Sequence, residues 1–119
     1  ALDGRVKQIV TAWQMREIAG VPAINDHTDA AYDARVLDDL AAVHADAVAW
    51  LRPLLAGLPR LATYGRRLEA AAAAAGNGDS RFVASPRVDS YHGVWFEMHE
   101  DLILLAGRTR ADEVAAGRA

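Results

Sequence analysis

PRVDSYHGVWFEMHEDLILLAG, residues 86–107, is the stretch whose reading decides the fold. Ser85 before Pro86 looks like an N-cap followed by proline at the first helical position, and Gly107 supplies a stop, so the stretch predicts a helix from Pro86 to about Ala106. Its apolar residues Val94, Trp95, Phe96, Met98, Leu102, Ile103, Leu104 and Leu105 point in nearly every direction around the cylinder. A helix that is apolar all round belongs at the centre of a helical protein. The same helix carries Arg87, Asp89, Tyr91, His92, Glu97, His99 and Glu100, and polar groups at a centre must be paired or must face a cavity. His92 and His99 are two turns apart, on one face, with Trp95 and Phe96 between them.

Upstream, Val6, Ile9, Val10, Trp13 and then Glu17 or Ile18 recur at helical steps until Gly20-Val21-Pro22 breaks the pattern, which predicts a first helix. The segment INDHTD, residues 24–29, is polar turn chemistry ending in two N-cap candidates, Thr28 and Asp29. After it, Val36, Leu37, Leu40, Val43, His44, Ala47, Trp50 and Leu51 mark a long second helix that Pro53 bends or ends. Leu61, Tyr64, Leu68 and the alanine run 70–75 mark a third, with Gly65 as a local break and Gly76-Asn77-Gly78-Asp79 as the loop beyond it. Thr109 with Asp112 resembles a capping box opening a short last helix. No sustained two-residue alternation and no hairpin dipeptide stand out. The expected fold is therefore all-α, one domain over residues 1–119, a bundle of four main helices plus a short C-terminal helix.

A chain of 119 residues suits a single core, and 52% hydrophobic with 24% charged residues is an ordinary globular composition. No apolar run reaches the roughly 18 residues of a membrane span. The absence of cysteine excludes disulfides, thiolate metal sites and cysteine nucleophiles. A net charge of -3 opposes non-specific attraction to phosphate backbones, so no direct nucleic-acid contact is expected. All basic residues but Lys7 are arginine and alanine is abundant, which reads as a GC-rich bacterial coding sequence. The first twenty residues lack the basic start and apolar stretch of an export signal, and the only methionines, Met15 and Met98, are internal. The chain thus reads as a cytoplasmic piece of a longer protein.

The stretches VTAWQMR (residues 10–16), NDHTDAAYD (25–33), LPRLATYGRRL (58–68) and the segment 86–107 together resemble a helical domain of bacterial regulators. There it follows a winged-helix segment of the MarR type, and a similar segment occurs in some chains with phosphoenolpyruvate-utilising domains. The resemblance covers nearly the whole chain and implies a sensor or dimerisation module whose DNA-binding part lies elsewhere. Gly93 departs from it, since a β-branched residue is expected at that turn.

The candidate pocket lies between the first and fourth helices and the loop 25–33, with Trp13, Tyr91 and Trp95 as walls and Gln14, His27, Arg87 and His92 as polar contacts. Plainer readings compete: core packing for Trp13, Trp50, Trp95 and Phe96, and loop or N-cap bonding for Asn25, Asp26, His27 and Asp33. His44 reads as a histidine satisfied by a neighbour, and Arg60, Arg66 and Arg67 as a solvated face rather than a carboxylate clamp. A metal alternative takes His92, His99 and Glu100 with either His27 or Asp26 from the loop, the three histidines His27, His92 and His99 foremost, but there is no His-Glu-x-x-His spacing. Ser85, Ser90 and Thr109 sit where capping explains them, and no glycine-flanked serine or phosphate-cradling loop is present, so no catalytic residue and no cofactor are expected. The favoured function is a non-enzymatic module that senses a small-molecule effector or dimerises within a transcriptional regulatory protein, a homodimer in solution. A small metal-dependent enzyme and a purely structural dimerisation bundle are the alternatives.

Overall fold

The computed structural model describes residues 2–115. They are mainly helical with one small hairpin: α1 (Leu2–Gln14), β1 (Met15–Ile18), β2 (Val21–Ile24), α2 (Ala30–Leu51), a single 3-10 turn Arg52–Leu54, α3 (Leu61–Gly76), the short α4 (Arg81–Ala84) and α5 (Tyr91–Ala115). Helix α2 packs on α1 and α3, while α5 lies against α3, α4 and α1. The core is one cluster drawn from all of them: Val6, Ile9, Val10 and Trp13 of α1, Val36, Leu40, Val43, Ala47 and Leu51 of α2, Leu61, Leu68, Ala71 and Ala75 of α3, Val83 of α4, and Tyr91, Val94, Trp95 and Met98 of α5. The buried alanines let α3 approach its neighbours closely.

Three expectations are corrected. First, a hairpin is present, and the first helix stops at Gln14 rather than running to Ile18. Ala19 (φ 53°) and Gly20 (φ 79°) form a two-residue turn with both residues left-handed, which matches strand twist. Pro22 faces Glu17, the pair whose amides point away from the partner strand, so its missing N–H costs nothing, and Asn25 N–H extends the ladder to the Gln14 carbonyl (2.8 Å). The turn residues are an alanine and a glycine instead of the usual Asn-Gly, which is why the sequence hides it.

Second, α5 begins at Tyr91, five residues later than expected. Ser85 Oγ accepts only the Arg87 amide (3.2 Å), whereas the buried Ser90 Oγ accepts the Gly93 amide (3.2 Å), so Ser90 and not Ser85 caps the helix. Third, α5 runs unbroken through Gly107 to Ala115, so no separate helix opens at Thr109. A lone glycine inside a helix costs only about 1 kcal/mol and does not stop it. Gly65 likewise sits inside α3, where a Cβ would come within 3.2 Å of Leu51 Cδ2; it is a close-approach point, not a break.

Elsewhere the local chemistry acts as read. Asp29 caps α2 by accepting the Tyr32 amide (3.1 Å), Pro53 falls in the turn that ends it, and Gly78 (φ 101°) turns the chain after α3. The centre holds only the first half of α5. Phe96, Ile103 and Leu104 are 59%, 52% and 60% exposed, and with a radius of gyration of 17.0 Å the molecule is longer than the roughly 13 to 14 Å expected of a sphere-like chain this size. Among the described residues no helix is long and apolar enough to cross a membrane.

Candidate functional site

The residues expected to form one pocket fall in three places. Trp13 and His27 meet at the base of the hairpin, with ring centroids 4.5 Å apart. There the buried Asn25 is fully used: its Nδ2 donates to the Trp13 carbonyl (2.9 Å) and to Asp33 (2.9 Å), and its Oδ1 accepts the His27 amide (3.1 Å). His27, at φ 61°, directs Nδ1–H to Asp33 Oδ2 (2.8 Å). Arg16 lies across the neighbouring loop, bonding Asp26 and Thr28 at 3.2 Å each, with its buried Nε unpartnered. The hydroxyl of Thr28, 2.7 Å from Asp26, holds that carboxyl below its ordinary value. The corner closes the hairpin onto α2; Gln14 is exposed beside it.

Tyr91 and Trp95 instead stack in the core, centroids 6.5 Å apart. The Tyr91 hydroxyl donates to His44 Nδ1 (3.1 Å), and His44 Nε2–H donates to Glu69 (2.9 Å), because a carboxylate can only accept. This chain ties α2, α3 and α5 together and satisfies His44 as expected. Burial pushes the Tyr91 hydroxyl well above its ordinary value of 10.0.

Arg87 and His92 line a third place, an open groove at the start of α5 that also includes Phe96, Val88 and Gly93, with a volume of about 740 Å³. Gly93 is exposed there, and a Cβ would meet only Ser90 Oγ at 3.5 Å, so its departure from the β-branched residue the resemblance leads one to expect strains nothing. The groove's carboxylates are already engaged: Arg67 clamps Asp89 through two bonds (2.9 and 2.7 Å) and Glu97 through a third (2.6 Å). Arg60 similarly grips Asp101 with both contacts at 2.8 Å. These arginines are therefore interhelical clamps, not the solvated face expected of them.

A fourth place went unread in the sequence. Leu2, Trp50, Trp95, Met98 and Leu102 wall a cavity of about 280 Å³ between the start of α1, the end of α2 and the middle of α5, with Asp3 and His99 as its polar groups. Asp3 accepts the Trp95 indole N–H (3.1 Å) and the Lys7 ammonium (2.9 Å), and His99 Nε2 stands 4.0 Å away. The Lys7 bond outweighs partial burial and holds Asp3 below its usual carboxyl value, so it is ionised at neutral pH. Trp50, read as core, is 40% exposed and forms one lip. The only local sign of Asp3 is its four-residue step to Lys7; nothing in the sequence connects it with Trp95, which lies on another helix.

The three histidines of the metal alternative thus sit in separate surroundings: His27 on Asp33, His92 in the groove and His99 near Asp3. Among the described residues no three His, Cys, Asp or Glu side chains come together as a metal ion requires. No family model, curated protein or solved structure matches the chain.

Proposed function

We propose that this chain is a non-enzymatic ligand-sensing module of a cytoplasmic regulatory protein, a bundle on four long helices that takes a small aromatic molecule between α1, α2 and α5. The observation that supports it is the cavity of Trp50 and Trp95: apolar walls, one ionised carboxylate and one imidazole, the composition of a small-ligand pocket. About 280 Å³ suits a molecule of one or two rings. Asp3, a carboxylate with acceptor oxygens only, favours a ring bearing an N–H or ammonium group. A ligand there touches three helices at once, so occupancy would bias how α5 sits on the rest, which is what a sensor needs. The resemblance to the helical part of winged-helix regulators gives such a change a recipient elsewhere in a longer chain.

The experiment is a thermal and calorimetric titration with indole, tryptamine and benzylamine. At least one should raise the melting temperature with concentration and give saturable binding heat, and Trp50→Ala, a lip residue outside the core, should abolish both while the protein stays folded. No response to any of the three, or an unchanged response in Trp50→Ala, overturns the assignment.

A further inference from the structure

Helix α5 has a second apolar face. Tyr91, Val94, Trp95 and Met98 point into the core, whereas Phe96, Ile103 and Leu104 are exposed. At 100° per residue Ile103 lies about 20° from Phe96, Leu104 about 80° on the other side, and His92 and Glu100 within about 40°, so all five share one stripe. The upstream end of this stripe runs into the groove lined by Val88, His92, Gly93 and Phe96. Single exposed apolar residues need no explanation, but three on one stripe ending in a groove do.

The charges on this face tell what covers it. Arg87 and His92 at the groove end and Glu100 two turns beyond His92 have side chains with no hydrogen bond or ion pair among the described residues, although almost every other acidic group near them is clamped by Arg67 or Arg60. A face with an arginine and an imidazole at one end and a carboxylate further along complements itself when turned end over end. With a two-fold axis at Phe96, antiparallel copies place His92 of each opposite Glu100 of the other, about 6 Å along the helix on either side of the axis. The same operation carries Ile103 and Leu104 past the start of the other α5, to the groove that Val88 lines. An axis at Glu100 would instead set two carboxylates against each other, which costs association.

We propose that α5 is a self-association surface: two copies of this chain pair antiparallel about Phe96, Ile103 and Leu104 of each entering the groove beside Val88 of the other, with reciprocal His92 to Glu100 contacts. The exposed Gly93, which lacks a side chain, lets the two helices approach there. Such an interface is isologous and closed, the commonest form of soluble oligomer. It spans about 20 Å of helix, the small end of specific interfaces, so the equilibrium falls in the micromolar range. It uses the face of α5 away from the Trp95 cavity and stands independently of the ligand assignment.

Sedimentation equilibrium from about 1 to 500 µM tests it. The mass should rise from 12.8 kDa toward twice that value. Ile103→Glu, at an exposed site, should weaken pairing by roughly tenfold or more with the helical circular dichroism unchanged. Glu100→Lys should weaken it too, and adding His92→Glu should restore it, because the double variant again sets a basic group opposite a carboxylate across the axis. A monomer throughout, a dimer indifferent to Ile103→Glu, or a double variant no better than Glu100→Lys would overturn the proposal; tryptamine binding would be untouched by any of these results.

Discussion

At the scale of one residue, Trp95 joins the core to the candidate site. It is 5% exposed, stacks on Tyr91, gives its indole N–H to Asp3 and walls the cavity between α1, α2 and α5. Trp95→Ala removes a large ring that the surrounding helices can only partly replace, so it should cost about 3 to 5 kcal/mol in chemical denaturation. Phe96→Ala, its neighbour on the exposed face, should cost well under a third of that in the same measurement, since most of its surface never leaves water. Equal losses at the two positions would contradict the two faces assigned to α5. Asn25 is the polar counterpart of Trp95, buried and legible in the sequence only as turn chemistry, because its partners Trp13 and Asp33 come from the elements on either side.

At the scale of an element, α5 depends on where it starts. Ser90 accepts the Gly93 amide from a fully buried position, so Ser90→Ala removes a cap and leaves that amide without its partner. A loss of about 1 kcal/mol is expected, near the middle of the range for such caps, whereas Ser85→Ala should change stability by a few tenths at most, since Ser85 only closes a turn upstream. Comparing the two variants by urea unfolding checks the assignment. In the sequence Ser85-Pro86 is the more persuasive signal; Ser90 wins because the turn 86–89 leaves Asp89 free to meet Arg67 of α3. That is a tertiary contact overriding a local preference.

At the scale of the whole molecule, bonds between charged groups add to the core, some within one element, as Lys7 on Asp3, and some between elements, as Arg67 on Asp89. Lys7 on Asp3, Arg67 on Asp89 and Arg81 on Asp79 each hold a carboxyl below its ordinary value of 3.8, the hydrogen bond from the basic partner being the main cause in each case. A carboxyl lowered in the folded state stabilises the fold fully above the unfolded value, near 3.8, and that contribution disappears as pH falls through the lower folded value. This contribution should therefore be complete above about pH 5 and be lost progressively below pH 4. Asp89→Asn, which removes the one of these carboxyls that an arginine of another helix holds, should flatten the acid limb in melting temperatures measured between pH 7 and 2.5.

The apolar steps of 3 and 4 residues, the Asp29 cap and the breaks at Pro53 and Gly76 to Asp79 were enough to place α2 and α3 and the middles of α1 and α5, because each acts within a turn or two of chain. The hairpin escaped because Ala19-Gly20 is a weak turn signal whose geometry is fixed only when Asn25 and Tyr32 lock its base, Asn25 on Trp13 and Asp33, and Tyr32 on the carbonyls of Ala12 and Met15. Residues placed in one expected pocket were dispersed for the same reason: periodicity tells which face of a helix is apolar, not which other face it meets. Asp3 and Trp95 lie at opposite ends of the chain, and only the packing of α1 against α5 brings them to 3.1 Å. Local propensity and patterning, which act over a few residues, thus belong to the sequence alone; which apolar residues of α5 are covered and which form the cavity or the exposed stripe was decided by long-range burial between helices.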